Sequence, residues 1–367
     1  MKIVFFSLAV LLMSLTAFGQ AGSPKLSEMK TVRANSDMVD IRDGDVFYEN
    51  RWRIAPEEKP DIFKTQSKRV TFFTDLDSIT FNIEQDKTYD FVILLGNDSA
   101  WTQIKSVPSY LETLQKAGGY KKSDVDSLPL FYYETPTNGR MKDVKNYFKL
   151  DSIAGNGDEI SKILKIMYWI HDNIRHDGSN YALAEFSSID LYHYHKATGE
   201  GINCRHLAIA LNEMYLSMGL KSRYVTCLPK DESDQDCHVI NCVWVDSLQK
   251  WIWLDPTFAA YVKDENGFFL SINEVRERLI DGRPVVLNED ANWNNEKKQT
   301  KEEYLMNYMA KNLYWLQVPV NSQFNPESRY RNNVNKYVSL LPVGYTRSNM
   351  EDMGTITHDN AYFWQKP

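Results

Sequence analysis

Two stretches in the middle of the chain carry apolar residues at intervals of three and four positions, which predicts amphipathic helices. Asp158 is the expected N-cap of the first helix, whose apolar positions are Ile160, Ile163, Leu164, Met167, Ile170 and Ile174. The second helix follows Asn203 as N-cap and ends before Gly219, with apolar positions Leu207, Ala210, Leu211, Met214, Tyr215 and Met218. Cys204 lies in the first turn of this second helix, on its apolar stripe, so we expect the thiol to point inward.

Continuous and alternating apolar runs after the second helix predict strands that pack against it. These runs cover residues 222–227, 238–245 and 251–254. His238 opens the second run, and Asp255 directly follows the third. Further along, the capping boxes Ser271–Glu274 and Thr300–Glu303 predict two more helices.

The pattern also suggests how the chain divides into domains. Short alternating runs predict a small antiparallel β-domain over residues 41–105. Residues 20–40 are polar and unpatterned, which is typical of a flexible lead-in. The mixed residues 106–150 are expected to connect the β-domain to a second domain over 151–340. The aromatic tail 341–367 is too apolar for a disordered extension and is expected to pack on the core of that second domain.

The start of the chain has the features of a cleavable signal peptide over residues 1–19. Lys2 supplies the positive charge, residues 3–15 an apolar core, and residues 17–19 a small-residue cleavage site. The apolar core is too short to span a bilayer and no later apolar run is long enough. We therefore expect a soluble protein that is secreted or periplasmic. No cysteine lies near the cleavage site, so a lipid anchor is not expected.

The charge balance excludes one class of partner. The chain has 42 basic and 49 acidic residues, a net charge of −7 that becomes −8 when Lys2 is removed with the signal peptide. This acidity, with no basic block, argues against nucleic acid as a partner.

Cys204, His238 and Asp255 each lie at the end of a predicted element, in the order nucleophile, base and orienting carboxylate. A thiol in the first turn of a helix lies at the positive end of the helix dipole, which favours the thiolate. An imidazole can take the thiol proton, and a carboxylate can orient that imidazole. The three residues are therefore predicted to be catalytic, without a cofactor. Taken singly, each also has a structural explanation, as a core thiol, a structural histidine and a turn residue.

A metal site is the main alternative use of this cysteine. Metal-ligand spacings of the His-x-His and Cys-x-His kind occur among His193, His195, Cys204 and His206. The set lacks a second close pair of the zinc-finger kind, and a zinc ion would withdraw Cys204 from catalysis. Without a metal, His193 and His195 are expected to line or border the cleft.

Two other groups of residues also have two explanations each. Trp244, Trp251 and Trp253 either form an aromatic wall for a peptide or glycan or pack in the core. Cys227 and Cys242 lie in apolar runs, as buried thiols or as a disulfide. In both cases Cys237 has no partner. Three cysteines remain when Cys204 is set aside as a nucleophile, and this odd number favours a free Cys204 thiol.

An ordered set of segments resembles the transglutaminase-like superfamily, a group with a papain-like fold. The matching segments are Gly201 to Ala208, Met218 to Val225, His238-Val239, and Trp251 to Thr257, which ends in Asp-Pro-Thr. The resemblance covers about residues 151–260. It implies an α+β fold with a central helix packed on an antiparallel sheet, here preceded by the small β-domain. It also implies a triad of Cys204 as nucleophile, His238 as base and then acid, and Asp255 orienting His238.

Two classes of function follow from this resemblance and stay open at the level of sequence. The first is a cysteine enzyme that forms a Cys204 thioester with a peptide, protein or glycopeptide substrate. Hydrolysis is then favoured over transamidation, because an exported protein meets water at far higher concentration than any amine. The second is a catalytically silent module that binds peptides or glycans of the cell envelope. The backbone N–H of Cys204 is the one oxyanion donor that the sequence identifies.

Overall fold

A computed structural model describes residues 29–56, 59–122, 128–328, 336–350 and 353–367. The predicted signal peptide over residues 1–19 lies outside these residues. The chain divides into two compact units, Met1–Val107 and Pro108–Pro367. No helix among the described residues is long and apolar enough to cross a membrane.

The first unit is built from two four-stranded sheets. Its strands are β1 (Lys30–Ala34), β2 (Met38–Asp43), β3 (Val46–Arg53), β4 (Asp61–Thr65), β5 (Arg69–Phe73), β6 (Ser78–Asn82), β7 (Thr88–Leu95) and β8 (Asp98–Ser106). The sheet orders are β1-β7-β8-β4 and β3-β2-β5-β6. Ile41 and Phe72 of one sheet pack with Phe91 and Ile104 of the other, so the two sheets enclose a common core.

Two expectations for this unit were wrong. Residues 20–40 are not all a flexible lead-in, because β1 and the start of β2 lie among them. The strand pairing is also not purely antiparallel, since β1 runs parallel to β7 and β4 runs parallel to β8. Only two residues of β1 are buried, Val32 and Ala34, which is too short a pattern to recognise in the sequence.

Among the residues that the structure describes, the helices lie in the second unit. They are α1 (Tyr110–Gln115), α2 (Gly139–Phe148), α3 (Leu150–Ala154), α4 (Glu159–Asn173), α5 (Ser188–Thr198), α6 (Cys204–Ser217), α7 (Ile272–Asp281), the π-helix Glu302–Met309, α8 (Ala310–Asn312) and α9 (Asn360–Phe363). The predicted caps are present: Asp158 caps α4, Asn203 caps α6, and Ser271 forms a capping box with Glu274 on α7. These caps bond N–H groups that have no acceptor within the helix.

One six-stranded sheet organises the second unit. The strands of this unit are β9 (Tyr132–Tyr133), β10 (Ser222–Leu228), β11 (His238–Val245), β12 (Lys250–Leu254), β13 (Val262–Lys263), β14 (Val286–Leu287), β15 (Asn292–Trp293), β16 (Lys297–Lys298), β17 (Trp315–Pro319), β18 (Asn321–Ser322), β19 (Tyr337–Leu340) and β20 (Thr355–Thr357). The sheet order is β12-β11-β10-β17-β19-β20. Strands β10, β11 and β12 are mutually antiparallel, and α6 lies against β10 and β11.

Both faces of this sheet are covered, which explains its continuous apolar strands. Side chains alternate along a strand, so Val243 and Ile252 pack with α6 on one face. Cys242 and Trp253 pack on the other face with residues of α7 and the π-helix. Trp251 and Trp253 are thus core residues, and Trp244 is 9% exposed. The aromatic-wall explanation therefore fails for Trp251 and Trp253, and packing accounts for them.

Candidate active site

The N-terminus of α6 positions Cys204. Asn203 has extended backbone geometry, and its side-chain oxygen accepts a hydrogen bond from the His206 N–H at 3.1 Å. Its carbonyl accepts the Leu207 N–H, so Cys204 is the first residue of the helix. The backbone N–H of Cys204 is therefore one of the first N–H groups of the helix, and these groups have no acceptor within the helix. The Cys204 side chain is partly exposed, as a nucleophile requires.

His238 and Asp255 meet between neighbouring strands. His238 is the first residue of β11, and Asp255 directly follows β12, which pairs with β11. His238 Nε2 and Asp255 Oδ2 are 2.6 Å apart, and both side chains are buried, at 1% and 0% exposure. A buried carboxylate this close to an imidazole favours its protonated form. The two residues that the sequence paired are therefore in direct contact.

The carboxylate of Asp255 has two further donors. Tyr304 Oη donates to Oδ2 at 2.6 Å, and the Thr257 N–H donates to Oδ1 at 2.8 Å. The backbone of Asp255 also exchanges two hydrogen bonds with Ala260. Tyr304 comes from the π-helix, a rare element that occurs often at functional sites. The capping box Thr300–Glu303 predicted a helix here, but the sequence gave no signal of the contact between Tyr304 and Asp255.

Aromatic rings surround the imidazole of His238. The ring centroids of Tyr308 and Phe258 lie 5.2 and 5.6 Å from that of His238. Lys311 of α8 extends from the same side and binds the loop before His238, with its Nζ 2.9 Å from Asp234 Oδ2. These rings exclude water from the His238–Asp255 contact, and exclusion of water strengthens the electrostatic interaction between the two groups.

The thiol of Cys204 interacts with two imidazoles. The two rings that affect its ionisation are those of His176 and His238. Burial alone would raise the pKa of the thiol, but the hydrogen bonds and electrostatic interactions with the two rings outweigh it and lower the pKa to about 6. Burial would likewise lower the pKa of His238, yet Asp255, with a smaller contribution from Cys204, raises it to about 10. Between these values a thiolate–imidazolium pair is the prevailing form.

His176 is the residue of this site that the sequence interpretation missed. It follows α4 by three residues, in a segment that carries no regular pattern. Nothing in its spacing from Cys204, 28 residues later, indicates a contact. That His193 and His195 line or border the cleft stays a prediction. His193 Nε2 lies 2.7 Å from Tyr147 Oη, and His195 Nδ1 lies 2.8 Å from the Glu200 carbonyl, so each ring has a hydrogen-bond partner other than Cys204.

The remaining candidate ligands do not gather into a metal site. Within the described ranges, no group of three or more His, Cys, Asp or Glu side chains is placed to hold a metal ion. His206 packs instead against the rings of Phe186 and Tyr181. All four cysteines are free thiols, so the disulfide between Cys227 and Cys242 is not formed.

Comparison with family models finds one match in the segment that holds these residues. The model of the family described as the transglutaminase-like superfamily matches residues 148–256, a segment that contains Cys204, His238 and Asp255. This match supports the resemblance to the transglutaminase-like superfamily over residues 148–256. The fold class inferred from the sequence, an α+β transglutaminase-like core with a central helix on an antiparallel sheet, is confirmed. The sequence matches none of the curated proteins with which it was compared.

Three solved structures resemble the chain at low identity. A candidate cysteine protease from Cytophaga hutchinsonii is 19% identical over 41% of this chain and 49% of its own, with a TM-score of 0.24. A candidate protease from Parabacteroides distasonis is 15% identical over 39% and 25%, with a TM-score of 0.22. Red sea bream transglutaminase is 11% identical over 63% and 49%, with a TM-score of 0.24. The chain thus spans half or less of the length of these proteins, and similarities this weak carry no argument about activity.

Proposed function

We propose that the protein is a cysteine-dependent amide hydrolase whose catalytic triad is Cys204, His238 and Asp255. The observation that carries this proposal is the environment of the thiol. Cys204 begins a helix, and the imidazole of His238 contributes to lowering the pKa of its thiol. His238 Nε2 in turn lies 2.6 Å from the buried carboxylate of Asp255. Cys227 shows the contrast with a thiol of the core: burial raises its pKa, whereas the pKa of Cys204 is lowered. The substrate class is a peptide, protein or glycopeptide.

The first half of the reaction is acylation of the thiol. The Cys204 thiolate attacks the amide carbon, a sulfur–carbon bond forms, and the π electrons of the carbonyl move to its oxygen. The oxyanion returns these electrons as the carbon–nitrogen bond breaks. The leaving amine takes the proton held by the imidazolium of His238, and a Cys204 thioester remains. Asp255 stabilises the imidazolium beforehand and keeps Nδ1 of the ring toward the thiol, because Nε2 is bound to its carboxylate.

The second half of the reaction decides between hydrolysis and transamidation. His238 is now neutral and takes a proton from the attacking molecule, and the thiolate leaves as the new bond to the acyl carbon forms. Water gives a carboxylic acid, whereas an amine gives a new amide. We favour water, which exceeds any amine in concentration in the exported setting that the sequence predicts.

The experiment is a screen of peptides and peptidoglycan fragments with three proteins in parallel: wild type, Cys204→Ala and Cys237→Ser. Cys237 is a matched control because it is a second partly exposed thiol. We expect hydrolysis by wild type and Cys237→Ser and none by Cys204→Ala. A glutamine peptide with a labelled amine measures the competing reaction. Incorporation of label faster than hydrolysis would make the protein a transamidating enzyme.

A silent binding module is the alternative that the same screen tests. Substrates that bind wild type and Cys204→Ala equally, with no turnover and with ordinary reactivity of Cys204 toward iodoacetamide, would support that alternative and overturn the enzyme proposal.

A further inference from the structure

The segment around His176 is fixed beside the loop that leads to Cys204. His176 forms a parallel β-bridge with Ile202, and its chain neighbours supply the hydrogen bonds: Asp177 N–H to the Ile202 carbonyl, and Ile202 N–H to the Arg175 carbonyl, both 2.9 Å. Gly201 permits this approach, because a Cβ there would lie 2.8 Å from Asp177 Cβ. The bridge ends two residues before the nucleophile. The backbone therefore sets the position of the His176 ring.

The hairpin of β15 and β16 sets the tautomer of that ring. Trp293 Nε1 donates a hydrogen bond to His176 Nδ1 at 2.9 Å. An indole N–H can only donate, so Nδ1 is the nitrogen without hydrogen and Nε2 carries it. Asn294 holds the backbone of His176 from both sides, with Oδ1 2.8 Å from its N–H and Nδ2 3.0 Å from its carbonyl. The nitrogen left to face Cys204 is consequently the Nε2–H donor.

The two histidines of the site therefore have opposite partners. His238 has a carboxylate, an acceptor that stabilises a ring with hydrogen on both nitrogens. His176 has the indole of Trp293, a donor that is compatible only with a ring lacking hydrogen on Nδ1. His238 is thus suited to exchange protons, whereas His176 is suited to donate a hydrogen bond without giving up its proton.

We propose that His176 is a catalytic residue that supplies the second oxyanion donor, and that Trp293 is a positioning residue that holds its ring as the Nε2–H tautomer. This assignment rests on the proposed thioester chemistry of Cys204. In the resting site the His176 ring is near enough to Cys204 to favour the thiolate, and its Nε2–H is the donor that the bond from Trp293 to Nδ1 leaves available. When the thiolate attacks, the negative charge passes to the carbonyl oxygen, which then accepts the His176 Nε2–H and the Cys204 backbone N–H. No proton leaves His176 in this step. When the oxyanion reforms the carbonyl, the electron pair of the carbon–nitrogen bond goes to the departing amine, which takes the proton of His238.

The test compares His176→Phe, which keeps a ring without a donor, with His176→Gln, which restores an N–H donor. His193→Gln is the matched control, since that histidine is exposed and bonds to Tyr147. Loss of one oxyanion donor costs roughly 10²–10³ in kcat. We expect His176→Phe to show that loss with little change in KM, His176→Gln to recover part of it, and the control to retain wild-type values.

Two reactions of the thiol separate this role from a structural one. The thiolate adds to the carbonyl carbon of N-acetylglycinal, and the carbonyl oxygen becomes the alkoxide, then the hydroxyl, of a tetrahedral hemithioacetal at the position of the oxyanion. Iodoacetamide alkylates sulfur, with loss of iodide, and places no such oxygen there. We expect His176→Phe to bind the aldehyde at least tenfold more weakly. Its alkylation rate should reach the wild-type plateau at high pH, although the midpoint of the curve rises. Trp293→Phe removes the bond that fixes the His176 tautomer, so we expect it to lower kcat with little change in KM while its alkylation still reaches the wild-type plateau.

Three results would overturn the assignment. His176→Phe with kcat and aldehyde affinity within threefold of wild type removes the oxyanion role and leaves the proposed function intact. His176→Phe that is not alkylated even at high pH makes the histidine a structural support. A wild type that binds no aldehyde and turns over no substrate removes the proposed function and this assignment with it.

Discussion

Replacing Asp255 with asparagine removes one negative charge from the site and changes little else in shape. The Thr257 N–H donates to Oδ1, so the side-chain oxygen of the asparagine is expected to stay there. Its amide nitrogen then takes the place of Oδ2, opposite His238 Nε2. An amide N–H donates to Nε2 and forces the hydrogen of the neutral ring onto Nδ1, the nitrogen that has to accept the proton of Cys204.

The pKa of His238 sets the size of the effect. Burial lowers it, and the charge and hydrogen bond of Asp255 contribute most to raising it from 6.5 to about 10. That net difference corresponds to roughly 5 kcal/mol of preference for the imidazolium, which remains after burial has opposed the contributions of Asp255 and Cys204. We expect turnover to fall by roughly 10²–10³. This is less than the ~10⁴ of the same change in a serine protease, because a thiol is the better intrinsic nucleophile.

The assay is the rate of Cys204 alkylation by iodoacetamide against pH, together with turnover. In Asp255→Asn the midpoint of the curve should rise from near 6 toward the ordinary ~8.5 of a cysteine. The midpoint is the diagnostic quantity, because a thiolate of higher pKa is more nucleophilic and partly offsets the smaller thiolate fraction. A thermal unfolding curve checks that the variant folds. Superimposed alkylation curves and unchanged turnover would show that Asp255 does not orient His238.

Three further changes test the surroundings of the triad. Tyr304→Phe removes the hydroxyl donor to the carboxylate of Asp255. We expect a free energy of unfolding roughly 1.5–3 kcal/mol lower by calorimetry, and a turnover roughly tenfold lower. A variant as stable as wild type would contradict the contact. Burial raises the pKa of Glu213 from 4.5 to about 7. As the pH rises from 4.5 through 7, the free energy of unfolding of wild type should therefore fall by up to roughly 3 kcal/mol relative to that of Glu213→Gln. Urea unfolding at several pH values measures this difference, and a difference that does not change with pH would refute the prediction. Gly201→Ala brings a Cβ to 2.8 Å from Asp177 Cβ and should lower the free energy of unfolding by roughly 1–3 kcal/mol. Gly119→Ala is the control, because its Cβ would have no atom within 4 Å and should change the stability little. Equal losses of stability in the two variants would contradict the packing.

The parts of the site that the sequence predicts are those coded locally. Asn203 before Cys204, and the apolar run that begins at His238, specify a helix start and a strand start within a few residues each. The order of these element ends along the chain matches the order of a cysteine triad. The caps and the alternating strand faces likewise follow from neighbouring residues, so the α+β core was predictable.

The contacts that refine the site are long-range and have no local signal. Trp293 is 117 residues from His176, and Tyr304 is 49 residues from Asp255. Trp293 lies in the short β15–β16 hairpin, and Tyr304 is a buried residue of the π-helix. The local sequence around each residue therefore gives no sign of its distant partner. Their hydrogen bonds arise only when the β15–β16 hairpin and the π-helix pack against the sheet and α4. A single sequence specifies those packings through the whole fold rather than through any short pattern.

The most direct test of the central claim is the thiolate state of Cys204 in the wild-type protein. Peptide mapping by mass spectrometry after brief treatment with iodoacetamide, from pH 5 to pH 10, gives a separate curve for each cysteine. Cys237 is an internal reference, because burial raises its pKa. We predict a midpoint near pH 6 for Cys204 and one above 9 for Cys237 in the same molecules. Coincident curves, or a Cys204 midpoint at the ordinary ~8.5, would contradict the thiolate–imidazolium pair on which the account depends.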